Sequence, residues 1–344
     1  MDVSPILDGL NEEQRNAVTA APGPTLVLAG AGSGKTRVLV HRIAWLCNVE
    51  GASPYGLLAV TFTNKAAAEM RGRVESLLGT SLSGMWVGTF HGIAHRILRA
   101  HWQQANLPQA FQILDSEDQS RLIKRLMKGL ELDESKWPAK QAQWFINARK
   151  DEGLRASQIQ DGGDLTTRQF IRIYTAYEAA CQRAGVVDFA ELLLRSLELL
   201  KNNQDILTHY RHRFQHLLVD EFQDTNAIQY NWLRVIAGEH TPIFAVGDDD
   251  QSIYGWRGAR IENIFSFSED NKDTQTFRLE QNYRSTSTIL SAANELISNN
   301  QGRLGKKLWT KGNQGTPIQL YAAYNEHDEA RFVIERVREW VGQQ

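Results

Sequence analysis

Apolar residues along this chain fall first into short continuous runs and then into helical spacing. Thr25-Leu-Val-Leu-Ala29 is the first such run, and Leu57–Asn64, Met85–His91, His216–Glu221, Pro242–Asp248 and Thr274–Leu279 repeat it. Continuous apolar runs of this length read as strands buried on both faces, the habit of parallel sheets. Between them the spacing predicts helices over about 35–47, 65–78 and 286–298, and over 326–341 near the end. One more strand is expected at Ile318–Ala323. The pattern is that of an α/β protein with a parallel sheet and helices on both faces.

From about Ile93 to Phe214 the texture changes. Strand-like runs vanish, and helical patterns such as Ser120–Lys128 and Phe189–Leu197 take over, punctuated by Pro108, Pro138 and the Asp161-Gly-Gly163 turn. This block reads as an all-helical insertion, many of whose Arg and Lys residues coat a solvated face. A basic linker, Gly302–Lys307, precedes the last strand and helix. Those two apolar-faced elements need several more strands to bury them, so the chain is expected to end inside its final domain, as a fragment or truncated product.

Composition adds mainly exclusions. At 344 residues, with 42% hydrophobic and 23% charged residues, the chain is an ordinary globular one of two or three domains. No apolar run is long enough to span a bilayer, and the amino terminus does not read as a secretory signal. Cys47 and Cys181 lie far apart, outside any metal-ligand spacing, and read as core fillers in a reducing cytoplasm. A net charge of −2 neither advertises nor excludes nucleic acid, because a local groove of donors and aromatics binds single strands without a basic total.

Chemistry enters where the runs end. After the first one, Ala29-Gly-Ala-Gly-Ser-Gly-Lys-Thr36 matches the phosphate-binding loop with alanine at the first glycine position. Glycines let successive N–H groups converge on phosphate oxygens, and the helix that follows adds the positive end of its dipole. Lys35 supplies a charge near the β- and γ-phosphates, and the Thr36 hydroxyl is suited to Mg²⁺. The run His216–Glu221 ends in Asp220-Glu221, which pairs a metal-holding carboxylate with one placed to activate water. Gln251, after the next strand, offers an amide for the γ-phosphate and that water. Its neighbours Asp248, Asp249 and Asp250 lack the EF-hand spacing and read as hydrogen-bond acceptors that fix the loop. Tyr254, Trp256 and Arg257 follow at once as a stacking and phosphate-holding platform for unpaired bases, with core packing as the other reading of Trp256. Gln14 likewise has two readings: a capping box with Asn11 as N-cap, or an amide that reads the adenine edge.

Taken together, Gln14, Ala29–Thr36, Thr61–Met70, Gly88-Thr-Phe-His91, Val187-Asp-Phe189, Val219–Asp224, Gly247–Arg257 and Gln281-Asn-Tyr-Arg284 resemble the UvrD/Rep/PcrA helicases of superfamily 1. The resemblance covers essentially the whole chain. It implies a RecA-like ATP-binding domain 1A over 1–89 plus 215–280, a helical domain 1B over 90–214, and the incomplete start of a second RecA-like domain, 2A, over 281–344. It implies that Gln14, Arg37 and Tyr283 hold adenine, beside the loop residues Ala29, Gly30, Ala31, Gly32, Ser33, Gly34, Lys35 and Thr36. Lys35, Glu221, Gln251 and Arg284 would serve hydrolysis, and Thr36 and Asp220 would hold Mg²⁺. Phe62, Asn64, Thr89, His91, Phe189, Tyr254, Trp256 and Arg257 would line the path of single-stranded DNA, although Phe62 and Phe189 also suit a core.

The implied activity is ATP-dependent 3′–5′ helicase or translocase action in DNA repair, in the cytoplasm. Its partners would be single-stranded DNA, single-strand/duplex junctions and repair proteins, with no membrane. Unwinding needs two complete lobes that close and open, so this portion is expected to bind nucleotide and strand without unwinding alone. Two alternatives stand beside it: a helicase-nuclease subunit of the same superfamily, and a non-catalytic module that binds nucleotide and DNA.

Overall fold

The computed structural model describes residues 2–82 and 84–342. Eight strands are present among them: β1 Thr25–Ala29, β2 Leu57–Thr61, β3 Trp86–Thr89, β4 Gln112–Ile113, β5 Val186–Val187, β6 His216–Val219, β7 Ile243–Gly247 and β8 Gln275–Leu279. Six of them form one sheet in the order β3-β2-β6-β7-β1-β8, with every pairing parallel. Each apolar run predicted before residue 280 supplies one of these strands, trimmed of its polar end.

Alternation across the pleat divides the core in two. Leu26, Leu28, Leu58, Val60, Leu217, Val219 and Ala245 pack on one face with Phe90, Ile97 and Trp232. Val27, Ala29, Leu57, Ala59, Leu218, Phe244 and Val246 pack on the other with Val38, Ile43 and Met70. Helices therefore cover both faces, which accounts for strands that read as apolar at every position. The parallel sheet between helical layers is the RecA-like α/β fold that the resemblance implied.

The segment between β3 and β6 is mostly helical and has its own core around Ile123, Ile146, Ile173, Tyr174 and Tyr177. It is not all-helical. β4 and β5 pair in parallel through Gln112↔Val186 and Ile113↔Val187. Two residues per strand are too few for periodicity to mark.

Two expectations fail beyond β8. Residues 318–323 form no strand and lie exposed, with Leu320 96% accessible; none of the described strands runs beside them to take their backbone hydrogen bonds. The helix Glu326–Val341 forms as predicted, but none of its residues is buried. Residues 302–307, read as a linker, are instead anchored: Arg303 and Lys306 pair with the acidic loop after β7. No described helix is long and apolar enough to cross a membrane.

Candidate functional site

Because β6, β7 and β1 are neighbours and run the same way, their carboxyl ends place Asp220-Glu221, the 248–257 loop and the glycine loop along one edge. In open parallel sheets, ligands bind at that edge. Gly32 and Gly34 adopt φ of +67° and +92°, which lets the chain curl beneath a phosphate before the helix Lys35–Asn48 begins. A Cβ at Gly32 would sit 2.6 Å from Asn282 Nδ2 and 2.7 Å from Arg284 Cβ, so the 281–284 segment packs directly on the loop. Tyr283 N–H donates to the Gly32 carbonyl at 2.9 Å, and the Asn282 amide donates to that of Ala31.

Inside the loop, the Lys35 ammonium is buried and lies 3.2 Å from Glu221 Oε2, yet it makes no hydrogen bond. A buried cation whose donors lack acceptors fits a phosphate group. Thr36 Oγ1 donates to Asp220 Oδ2 at 3.5 Å. Burial, aided by the Glu221 charge and opposed by Lys35, pushes the Asp220 carboxyl up to about 7. A hydroxyl beside a buried carboxylate short of positive charge is a donor set that suits Mg²⁺. Glu221 sits in the left-handed region at φ 50°, ψ 47°, a conformation costly for a non-glycine residue and often found where a side chain must be aimed.

The adenine candidates are less united. Gln14 is buried, and both halves of the capping box form: Asn11 Oδ1 accepts from Gln14 N–H, and Gln14 Oε1 accepts from Asn11 N–H. Gln14 Nε2 also donates to the Ser33 carbonyl at 2.8 Å. One donor and one acceptor site of the amide remain for a base edge. Arg37 is exposed and lies against Gly9, and Tyr283 is 54% accessible.

Gln251 turns its Nε2 toward Asp248. Arg284 is exposed, and its guanidinium has no hydrogen-bond or ion-pair partner among the described residues. Gln223 is a positioning residue that the sequence reading left without a role. Its Nε2 donates to Glu221 Oε2 at 2.9 Å and its Oε1 accepts from Asp248 N–H at 2.9 Å, which braces the end of β6 against that of β7.

Beside the loop lies a cavity of about 410 Å³ lined by Phe62, Thr89, His91, Phe189, Tyr254 and Arg257 among others. The Phe62 and Tyr254 rings are parallel within 7° at 6.3 Å, and His91 meets Phe189 edge-on at 6.2 Å. Burial holds the His91 imidazole below its usual value. The core reading of Phe189 fails, since the ring is 55% exposed.

Asn64 is not in that lining; it opens the helix Asn64–Leu78. Trp256 is 76% exposed and lines an adjoining cleft with Trp144 and Arg260, so its core-packing reading fails too. Arg257 lies over both the Tyr254 and Trp256 rings, at 5.0 and 4.5 Å. The helical insertion adds Gln119, Asn147 and Asp151 to the groove, none of which the sequence singled out.

A parallel sheet with a glycine loop after β1 and an acidic pair after β6 defines a RecA-like α/β protein. Residues 10–272 match the family model described as UvrD/REP helicase N-terminal domain, and residues 277–344 match the UvrD-like helicase C-terminal domain. The chain belongs to the UvrD/REP helicase family. It is 65% identical over 340 residues to DNA helicase II of Escherichia coli (strain K12), covering 99% of this chain and 47% of that protein. It is 60% identical to DNA helicase II of Haemophilus influenzae over 345 residues, covering 99% of this chain and 47% of that protein. With ATP-dependent DNA helicase PcrA of Staphylococcus aureus (strain Mu50) it shares 42% identity over 333 residues, covering 96% of this chain and 46% of the relative. The chain thus spans about half the length of these relatives.

Proposed function

We propose that this chain is the part of an ATP-dependent 3′–5′ DNA helicase that binds nucleotide and grips a single strand, with a role in DNA repair and in the cytoplasm. Its substrates are single-stranded DNA and single-strand/duplex junctions, and repair proteins are its partners. In domain terms, residues 1–89 with 215–280 form the ATP-binding lobe, 90–214 the helical domain, and 281–344 the start of a second lobe. The observation that carries the reading is the loop 248–257. It joins the nucleotide edge at Gln251 to the aromatic groove at Tyr254 and Arg257.

The glycine loop and Lys35 would hold the phosphates, Thr36 and Asp220 the Mg²⁺, and Gln14, Arg37 and Tyr283 the adenine. When bound, ATP supplies the phosphoanhydride bond whose hydrolysis drives movement. Glu221, aimed by its left-handed backbone and by Gln223, orients water and accepts its proton. Arg284, carried by the segment that packs on the loop, offers charge to the transferring phosphoryl group. In the groove, Phe62, Phe189 and Tyr254 would stack bases, Arg257 would hold a phosphate, and Thr89 and His91 would add polar contacts, while Trp256 would stack a base in the adjoining cleft and Asn64 would meet the strand from the start of its helix.

A second reading, binding without turnover, draws support from Gln251 and Arg284, one committed to Asp248 and the other exposed. ATP hydrolysis by the chain with and without oligo(dT), against Lys35→Ala, separates the two. Strand-stimulated hydrolysis above the Lys35→Ala background supports the helicase motor. Equal rates, with triphosphate still bound, favour the binding module. No triphosphate binding at all overturns both.

A further inference from the structure

The acidic loop after β7 looks like a cation site. Asp248, Asp249 and Asp250 bring carboxylate oxygens within 4.8 Å of one another, and the first two are buried. The protein supplies its own cation. The Lys306 ammonium, only 3% exposed, lies 2.7 Å from Asp248 Oδ1 and 2.9 Å from Asp250 Oδ2, and also pairs with Asp249. Arg303 grips Asp250 through two bonds of 2.7 Å each, and Leu304 N–H donates to Asp249 Oδ2 at 2.9 Å. Three carboxylates after β7 are thus held by two cations and one N–H of a single short segment more than fifty residues further along.

That segment touches the nucleotide edge at two more points. Leu308 occupies the space a Cβ at Gly30 would need, so it closes one side of the glycine loop. Trp309 N–H donates to the Glu280 carbonyl at 3.1 Å, and Asn282 N–H donates to the Trp309 carbonyl at 2.7 Å, which fixes the strip bearing Tyr283 and Arg284. Asp248 is the shared atom group: one oxygen takes Lys306, the other takes Gln251. Lys306 and Gln251 therefore hold the same carboxylate from its two oxygens.

We propose that Lys306, seconded by Arg303, is a positioning residue that ties the 303–309 strap to the loop carrying Gln251, Tyr254 and Arg257, so that nucleotide occupancy changes the grip on a single strand. The strap rests on the glycine loop through Leu308 and on the stacking loop through Lys306. A nucleotide seated between Gly30 and Arg284 therefore has a path of direct contacts to the groove. Shared contacts of this kind make two sites respond to one another, and the response is reciprocal. The inference rests on the functional reading above and names a coupling element within it.

The test is the affinity of the chain for fluorescent oligo(dT), with and without a non-hydrolysable ATP analogue and Mg²⁺, for the unmodified chain, Lys306→Met and Lys306→Arg. The unmodified chain should show a nucleotide-dependent change in strand affinity. Lys306→Met should bring the ratio of the two affinities to one while each ligand alone still binds, and Lys306→Arg should restore part of it. A merely structural lysine would weaken both ligands together and leave the ratio alone, which overturns the proposal. Should Lys306→Met not fold, Arg303→Gln carries the same expectation: a reduced ratio supports the proposal and an unchanged one overturns it. If the unmodified chain binds both ligands without any coupling, this inference falls while the binding assignments stand. If it binds neither, the functional reading itself falls.

Discussion

Lys35 lies 3.2 Å from Glu221 without a hydrogen bond between them. The two groups are thus close to one another without a hydrogen bond that would have to break first. A phosphate can enter against the lysine and a water against the glutamate without breaking a strong contact, which is the economy a site needs if it is to bind repeatedly.

Removing that lysine tests the phosphate assignment. A charge-assisted hydrogen bond contributes about 1.5–3 kcal/mol, or roughly 10- to 100-fold in affinity. Lys35→Ala should weaken binding of an Mg²⁺-bound ATP analogue by this factor in calorimetry. Nucleotide affinity should suffer far more than stability, because within the chain Lys35 makes one ion pair, to Glu221, and no hydrogen bond.

Trp256 tests the stacking assignment. The ring is 76% exposed, so Trp256→Ala leaves the core intact. Single-strand affinity should drop by about 1–3 kcal/mol, the usual worth of a base stacked on an aromatic ring. Nucleotide affinity measured without DNA should stay the same; equal loss of both in a folded variant would remove Trp256 from the groove.

The groove should also respond to pH. Burial pushes the Asp151 carboxyl from 3.8 up to about 7, with help from Asp188 and Glu152 and against the Asn226 hydrogen bond and Lys150. Below that value the group is neutral; above it, a negative charge faces a strand of phosphates. Single-strand affinity should therefore fall as pH rises from 6 to 8, by about 0.5–1 kcal/mol at low salt, and Asp151→Asn should flatten the profile. For stability the sign follows from proton uptake. The folded chain holds a proton that the unfolded chain has released between about pH 4 and 7, so this group's contribution declines as pH rises through that window.

Deep in the helical segment, Lys150 is 2% exposed and pairs with Asp188 at 2.7 Å and Glu191 at 2.9 Å. Asp188 also accepts from Tyr177 at 2.8 Å and caps the helix that begins at Phe189. Lys150→Met would leave the buried Asp188 carboxylate without its cation, while Glu191 keeps Arg155 and Arg195, at a cost of about 3–5 kcal/mol. Urea unfolding should register that loss, and single-strand affinity should fall with it, because the cap that holds Phe189 in the groove is loosened.

What the sequence made legible was local. Continuous apolar runs marked all six strands of the main sheet, and residue type at their carboxyl ends marked Lys35, Thr36, Asp220 and Glu221. The Asn11–Gln14 capping box was visible for the same reason, since its partners are three residues apart. What stayed hidden was tertiary. Lys306 reads as part of a basic linker until the fold brings it to Asp248, and Asp151 reads as one helix charge among many until the insertion turns it into the groove. Helical periodicity says which face is apolar; it does not say which neighbour that face meets. The 318–323 run has strand-like spacing, but a strand forms only beside another, and none of the described strands lies there.

The proposed function puts nucleotide at one edge of the sheet and a single strand in the adjoining groove, with the 248–257 loop between them. Strand affinity of the unmodified chain, by fluorescence anisotropy of oligo(dT) across a titration of Mg²⁺ and a non-hydrolysable ATP analogue, tests it most directly. Saturable binding of both ligands is expected, with a shift in strand affinity of about fivefold or more as nucleotide fills its site, reached only at higher nucleotide concentration in Lys35→Ala. Failure of the folded chain to show saturable binding of either ligand would contradict it.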